Sequence, residues 1–153
     1  KYTLSDYIAR LNLSAPGLLD SLYSGEAALV VYGQIESFDD KGLLSFNQTP
    51  RVKIGLIAKS ISPESTRSAL NIWESTIKND LSGLLGLDLQ KANSQIFLEN
   101  FYGGATIRYI NFPYSDNTID YTIHNLPELN ADYFILTNSR EIIYSAIDLL
   151  ENQ

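Results

Sequence analysis

Hydrophobic positions change period twice along the 153-residue chain, and each change marks a switch of structural element. Ser5 to Leu13 sets Leu4, Ile8 and Leu11 at helical spacing and stops at Ser14-Ala15-Pro16-Gly17, which predicts a short amphipathic helix. From Ala27 to Ile35 the chain is apolar and rich in strand formers. Asp39-Asp40-Lys41-Gly42 then supplies turn chemistry, and Leu43 to Phe46 gives the second arm of a hairpin. Pro50 precedes a further strand over Val52 to Ile61, in which Val52, Ile54, Leu56 and Ala58 share one face.

Ser62-Pro63-Glu64 is a helix start: a hydroxyl to accept from free amides, Pro at the first helical position, and an acid near the positive dipole end. Leu70, Trp73, Ile77, Leu81 and Leu84 follow as one apolar stripe, with Trp73 as its core anchor, and Gly83 and Gly86 end the predicted helix. After Ser94 the period becomes two, giving strands at Gln95 to Tyr102, Ala105 to Phe112, Thr118 to His124 and Asp132 to Thr137. Gly103-Gly104 makes a tight hairpin, since both positions must accept positive φ. Ser115-Asp116-Asn117 and Leu126 to Asn130 supply the other turns. A last helix has Asn138 as its cap, Glu141 reaching back to it, and Ile142, Ile143, Ala146, Ile147 and Leu150 inward.

The predicted fold is α+β: an antiparallel β-sheet, with a four-stranded C-terminal meander plus two or three N-terminal strands, and helices packed on one face. It forms a single domain over 1–153, with a helix and linker in 1–25, strands plus one long helix in 26–90, and the meander plus helix in 94–151. A hydrophobic content of 44% with 19% charged residues excludes a disordered tail and a collagen. The formal charge of -7 makes nucleic acid a poor partner and removes the electrostatic hold on anionic lipid. No stretch approaches eighteen consecutive apolar residues. Without cysteine there is no thiol nucleophile, iron-sulfur cluster or Cys-based zinc site, and no cofactor is indicated. A chain that starts at Lys1 and contains no Met is expected to be a piece of a longer protein, preceded by a signal, an anchor or another domain.

Candidate chemistry is sparse. Ser75-Thr76-Ile77-Lys78 and Ser115-Asp116-Asn117 match two motifs of serine penicillin-interacting enzymes. That chemistry needs the serine at a helix start, however, and Ser75 falls well inside the predicted helix. His124, the only histidine, shares a strand face with Asp120 and Thr122, which alternation assigns to solvent. Asp39 with Asp40 and Asp116 with Asp120 are the closest acidic groupings, and acids at turns serve as local backbone acceptors. Arg108 is expected to pair with Glu99 across the Gly-Gly hairpin. No catalytic or metal-binding residue is assigned. Ten tyrosines are the compositional excess. Tyr102, Phe112 and Tyr114, beside turns and outside clean alternation, form the candidate binding rim.

Several stretches carry a family likeness. Pro50-Arg51-Val52-Lys53-Ile54-Gly55-Leu56-Ile57, Trp73-Glu74-Ser75-Thr76, Ile107 to Pro113, Thr118-Ile119-Asp120-Tyr121 and Ile135 to Glu141 resemble membrane-anchored extracytoplasmic domains of small-genome candidate-phylum bacteria. The resemblance covers about Pro50 to Leu150. It implies an N-terminal transmembrane anchor outside this piece and exposure beyond the membrane, with no reaction and no catalytic residues to carry over; the expected partner is a protein or a cell-envelope component. The expectation is therefore an extracytoplasmic binding or structural module. Its rivals are a hydrolase using acidic residues or Ser75 with Lys78, and a subunit of an envelope assembly completed through a free sheet edge.

Overall fold

Neighbouring residues on the central strands face two different cores. Ala58 and Phe134 pack with Leu70, Trp73, Ile110, Ile119 and Tyr121, whereas the adjacent Ile57 and Ile135 pack with Ala105, Ile107, Ile143, Ala146 and Ile147. The computed structural model describes residues 17–152 together with Asp6 and Ala15, so the predicted helix over Ser5 to Leu13 lies outside the described residues apart from Asp6. Among the described residues six strands form one antiparallel sheet: β1 (Leu22–Phe38), β2 (Leu44–Ser60), β3 (Leu98–Tyr102), β4 (Ala105–Asn111), β5 (Thr118–Leu126) and β6 (Ala131–Thr137). Their spatial order is β1-β2-β6-β5-β4-β3. The C-terminal meander is as expected, and the N-terminal hairpin joins it through β2 against β6.

Among residues 17–152 three α-helices complete the α+β fold: α1 (Pro63–Trp73), α2 (Ile77–Leu85) and α3 (Arg140–Glu151). The first two lie over the sheet face that carries Phe134, and α3 covers the opposite face through Ile143 and Ile147. Packing of all helices on one face was the wrong expectation. The apolar stripe of α3 finds its complement in Ile57, Ile107 and Ile135, which point away from Trp73 because successive strand residues alternate.

Local chemistry explains two further departures. The long helix expected after Ser62 begins as foreseen, with the Ser62 hydroxyl accepting from the amide of Ser65 at 3.3 Å and Pro63 in the first turn. It breaks at Glu74 to Thr76, where the Ser75 hydroxyl donates back to the carbonyl of Ile72 at 2.9 Å. Asp80 holds the break by accepting from the Trp73 indole at 2.7 Å and the Thr76 hydroxyl at 3.1 Å. The arm expected over Leu43 to Phe46 and the strand over Val52 to Ile61 are one strand. Its pairing with β1 jumps from Gln34↔Arg51 to Glu36↔Phe46, so residues 47–50 bulge out opposite Ile35. Pro50 sits in that bulge, where its missing N–H costs no ladder bond.

The start of α3 also differs from expectation. Ser139 is the cap residue, and no side chain caps the helix. The Asn138 side-chain Oδ1 instead accepts from the amide of Ile54 at 2.8 Å, and Glu141 accepts from the Tyr32 hydroxyl at 2.6 Å. Both side chains tie the strand–helix junction to the β1–β2 hairpin.

Candidate functional site

The ladder between β4 and β5 stops halfway. Pairing runs from Asn111↔Thr118 to Arg108↔Tyr121 and goes no further, although β4 stays paired to β3 down to Ala105 and β5 to β6 as far as Leu126. The sheet therefore splits at this end. At the apex the Thr122 hydroxyl donates to the carbonyl of Thr106 at 2.8 Å, replacing the ladder bond that would continue the pairing. A groove of about 980 Å³ follows the split and is lined by Arg67, Asn71, Glu74, Thr106, His124 and Glu151, among others.

A three-residue network closes one wall. Arg108 donates to both oxygens of Glu74, from Nε and Nη2 at 2.9 Å each, and the Tyr121 hydroxyl donates to Glu74 at 2.5 Å. The planar fork of Arg matches a carboxylate in two parallel bonds, which fixes the head of Glu74. The expected contact of Arg108 with Glu99 exists at 3.2 Å as a weaker second bond. Glu74 holds the Arg108 pKa above its ordinary value, and burial, then Glu74, pushes the Tyr121 hydroxyl up. Both groups keep their protons at any physiological pH. They are fixed donors, and Glu74 is their shared acceptor.

The opposite wall carries His124, which is 5% exposed. Its Nε2 is buried without a hydrogen-bond partner and lies 3.3 Å from the Glu151 carboxylate, off hydrogen-bonding geometry. Glu151 closes the last turn of α3 and reaches toward Gly103 in the β3–β4 turn. The assignment of Asp120, Thr122 and His124 to solvent fails, since all three are buried. The face they share is covered by α3, which brings a partner for Asp120, while the Thr122 hydroxyl is met by the Thr106 carbonyl on β4. Asp120 accepts from Arg140 at 2.9 and 3.1 Å, and Arg140 in turn lies 4.0 Å over the ring of Tyr109. Burial pushes the Asp120 carboxyl up to about 6 against the pull of Arg140.

The other candidate residues are dispersed. Tyr102 stacks on Tyr144 with ring centres 3.9 Å apart and donates to Asp148. Phe112 is a core residue, and Tyr114 packs against Phe38 at 5.1 Å. Seven residues of β4 separate the Tyr102 end from Phe112, about 23 Å of strand, so the three do not make one rim. Ser75 lies two residues before α2, nearer a helix start than expected, but its hydroxyl is committed to Ile72 and it does not line the groove. Lys78 donates to the carbonyl of Gln95. Asp39 serves its own turn by accepting from the amides of Lys41 and Leu43. Asp116 is buried and meets Arg51 and the amide of Phe38, apart from the Asp120–Arg140 pair. Among the described residues no group of three acids or histidines converges as a metal site.

Sequence reasoning missed Arg67, Glu74, Thr122 and Glu151. Glu74 had one usable signal: it follows the anchor Trp73, so it must emerge at the edge of that core. No protein-family model, curated protein or solved structure matches the chain.

Proposed function

We propose that the chain is a binding module that takes a polar ligand in the split between β4 and β5, without catalysing a reaction on it. The interrupted ladder is the observation that carries this reading. A gap in a sheet leaves backbone donors and acceptors of Ile123 and Asn125 without a strand partner on the β4 side, and a ligand can satisfy them. Around them stand side chains of both charges: Arg67, Glu151 and the neutralised pair of Arg108 and Glu74. Such walls favour a hydrogen-bonding ligand of low net charge over a strongly ionic or a greasy one. A role without chemistry fits the commitments of the acids, since Glu74 and Asp120 each serve a bidentate arginine. Placement outside the cytoplasmic membrane, with attachment through an anchor beyond this piece, rests on the family likeness described above.

The test is amide-resolved NMR titration of the labelled chain with a panel of short neutral peptides and oligosaccharides. A binder is expected to shift the amides of Thr106 and of residues 122–125, and Arg67→Ala is expected to weaken it. Shifts confined to surfaces away from the split, or none across the panel, would refute the assignment.

A further inference from the structure

The sheet has two edges, and they are treated differently. β3 is five residues long and carries Glu99, which is paired with Arg108. β1, at the other edge, is seventeen residues long, and its free side meets no strand among the described residues. Edge strands are ordinarily protected by shortness, Lys, Pro or a covering segment. β1 contains no Lys, Arg or Pro, and its nine residues from Ala27 to Ile35 are all uncharged. The face beside this edge is also bare. Leu29, Val31 and Val52 are 70%, 66% and 71% exposed, and the pairings Leu29↔Leu56, Val31↔Ile54 and Gly33↔Val52 put them on one side. This is the side that α1 and α2 cover only from Ala58 and Phe134 onward.

We propose that β1 is the interface between two copies of this chain, paired antiparallel edge to edge about a two-fold axis perpendicular to the sheet. The two six-stranded sheets become one of twelve strands. In antiparallel pairing centred on Val30 or Val31, odd-numbered residues meet odd-numbered ones. Leu29 and Val31 of each copy then come together on the same face and shield each other. The uncharged run from Ala27 to Ile35 is self-complementary, because no like charges meet within it, although in the register centred on Val31 Glu26 and Glu36 stand opposite each other at its two ends. Residues 23–26 bulge opposite Lys59, which shortens the seventeen-residue edge to about 45–50 Å, and a depth of about 10 Å gives roughly 500 Å² per copy. The total, about 1,000 Å², lies at the lower bound for a specific interface. Two copies of net charge -7 repel each other, so added salt should tighten the pair.

Sedimentation equilibrium from about 1 to 100 µM spans the range in which an interface at that lower bound associates. The expected result is a mass approaching twice 17.1 kDa at the top of the range, with tighter association at high salt. The double substitution Leu29→Lys and Val31→Lys, at side chains already in water, should leave the melting transition in place and weaken dimerisation at least tenfold. Because the chain has no cysteine, Val31→Cys gives an independent readout: rapid oxidation to a covalent dimer, with Leu129→Cys, also exposed but outside β1, as the slow control. A chain that stays monomeric at the top concentration overturns the proposal. So does a dimer indifferent to the two lysines, or a Leu129→Cys that cross-links as fast as Val31→Cys.

Discussion

Removing the carboxylate of Glu74 tests the network at the groove wall, and the cost can be worked out bond by bond. In Glu74→Ala, Arg108 loses two bonds of 2.9 Å, yet it is 28% exposed at the side chain and retains Glu99 at 3.2 Å. Water and Glu99 recover most of that loss, leaving about 0.5–1 kcal/mol, the range of a partly exposed ion pair. Tyr121 has no such recourse. The residue is 4% exposed and its hydroxyl loses its acceptor, which costs about 1–3 kcal/mol. Together these give about 1.5–4 kcal/mol, and a melting temperature lower by roughly 3–16 °C for a domain of this size. Glu74→Gln keeps an acceptor for Tyr121 and should lose only about 1 kcal/mol. Urea unfolding followed by circular dichroism supplies the free energies, and the cycle with Tyr121→Phe isolates the coupling. A coupling of about 1 kcal/mol or more is expected between Glu74 and Tyr121. If Glu74→Ala unfolds within about 0.5 kcal/mol of the wild type, or the cycle closes at zero, the network does not hold this wall.

Four further outcomes follow from the same geometry. Asp120→Ala strands the Arg140 guanidinium in a buried site and should cost about 3–5 kcal/mol in urea unfolding. The Asp120 carboxyl, at about 6 when folded and near its ordinary value when unfolded, stabilises the fold below about pH 4 and loses that contribution as pH rises toward 6. The stability difference between wild type and Asp120→Asn should shrink across that window, and a flat difference would contradict the assignment. The hydroxyl of Tyr121 titrates above an unfolded tyrosine, so its contribution is intact below pH 10 and is lost above it. Absorbance of tyrosinate should therefore show a late-ionising component that moves toward the ordinary range in Glu74→Ala without reaching it, because burial still raises it. Gly103→Ala meets two obstacles, a φ of +52° and an ideal Cβ only 2.7 Å from Cγ2 of Ile147, and should cost about 1–3 kcal/mol by displacing the β3–β4 turn from the end of α3.

What was legible in the sequence is what depends on neighbours a few residues away. The Ser62-Pro63 helix start, the Gly103-Gly104 turn with φ of 52° and 71°, the burial of Trp73 and the four-strand meander all follow from local pattern. The break between α1 and α2 was hidden, because Trp73, Ile77 and Leu81 keep their helical spacing across it and all three are buried. Continuity of β2 was hidden for the opposite reason: Pro50 reads as a stop, and only the skipped pairing with Ile35 shows that the strand passes it. The groove could not be read at all. A ladder that ends at Arg108↔Tyr121 while both strands continue elsewhere is a fact about pairing, and neither strand's own residues announce it.

The least legible feature, the side of the sheet on which the last helix lies, follows from how polar residues are distributed on both partners. Alternation on β5 sets Ile119, Tyr121 and Ile123 against Thr118, Asp120, Thr122 and His124, and one-sided burial would send the second set to water. The helix α3 reverses that by arriving with a matching polar row. Ser139 bonds Gln34 on β1, Arg140 bonds Asp120 on β5, Glu141 bonds Tyr32 on β1, Tyr144 accepts from Asn100 on β3, and Asp148 accepts from Tyr102 on β3. The contacts run from the start of the helix to its last turns and reach three strands, β1, β5 and β3, so sliding or rotating α3 by one turn would break several buried or half-buried bonds at once. The isoleucines at 143 and 147 would tolerate such a slip, because greasy contacts with Ile57, Ile107 and Ile135 are non-directional. The apolar positions therefore make α3 pack, and the polar ones determine where it packs. That placement in turn brings Glu151 to His124 and Ile147 to Gly103, at the mouth of the split where we place the ligand.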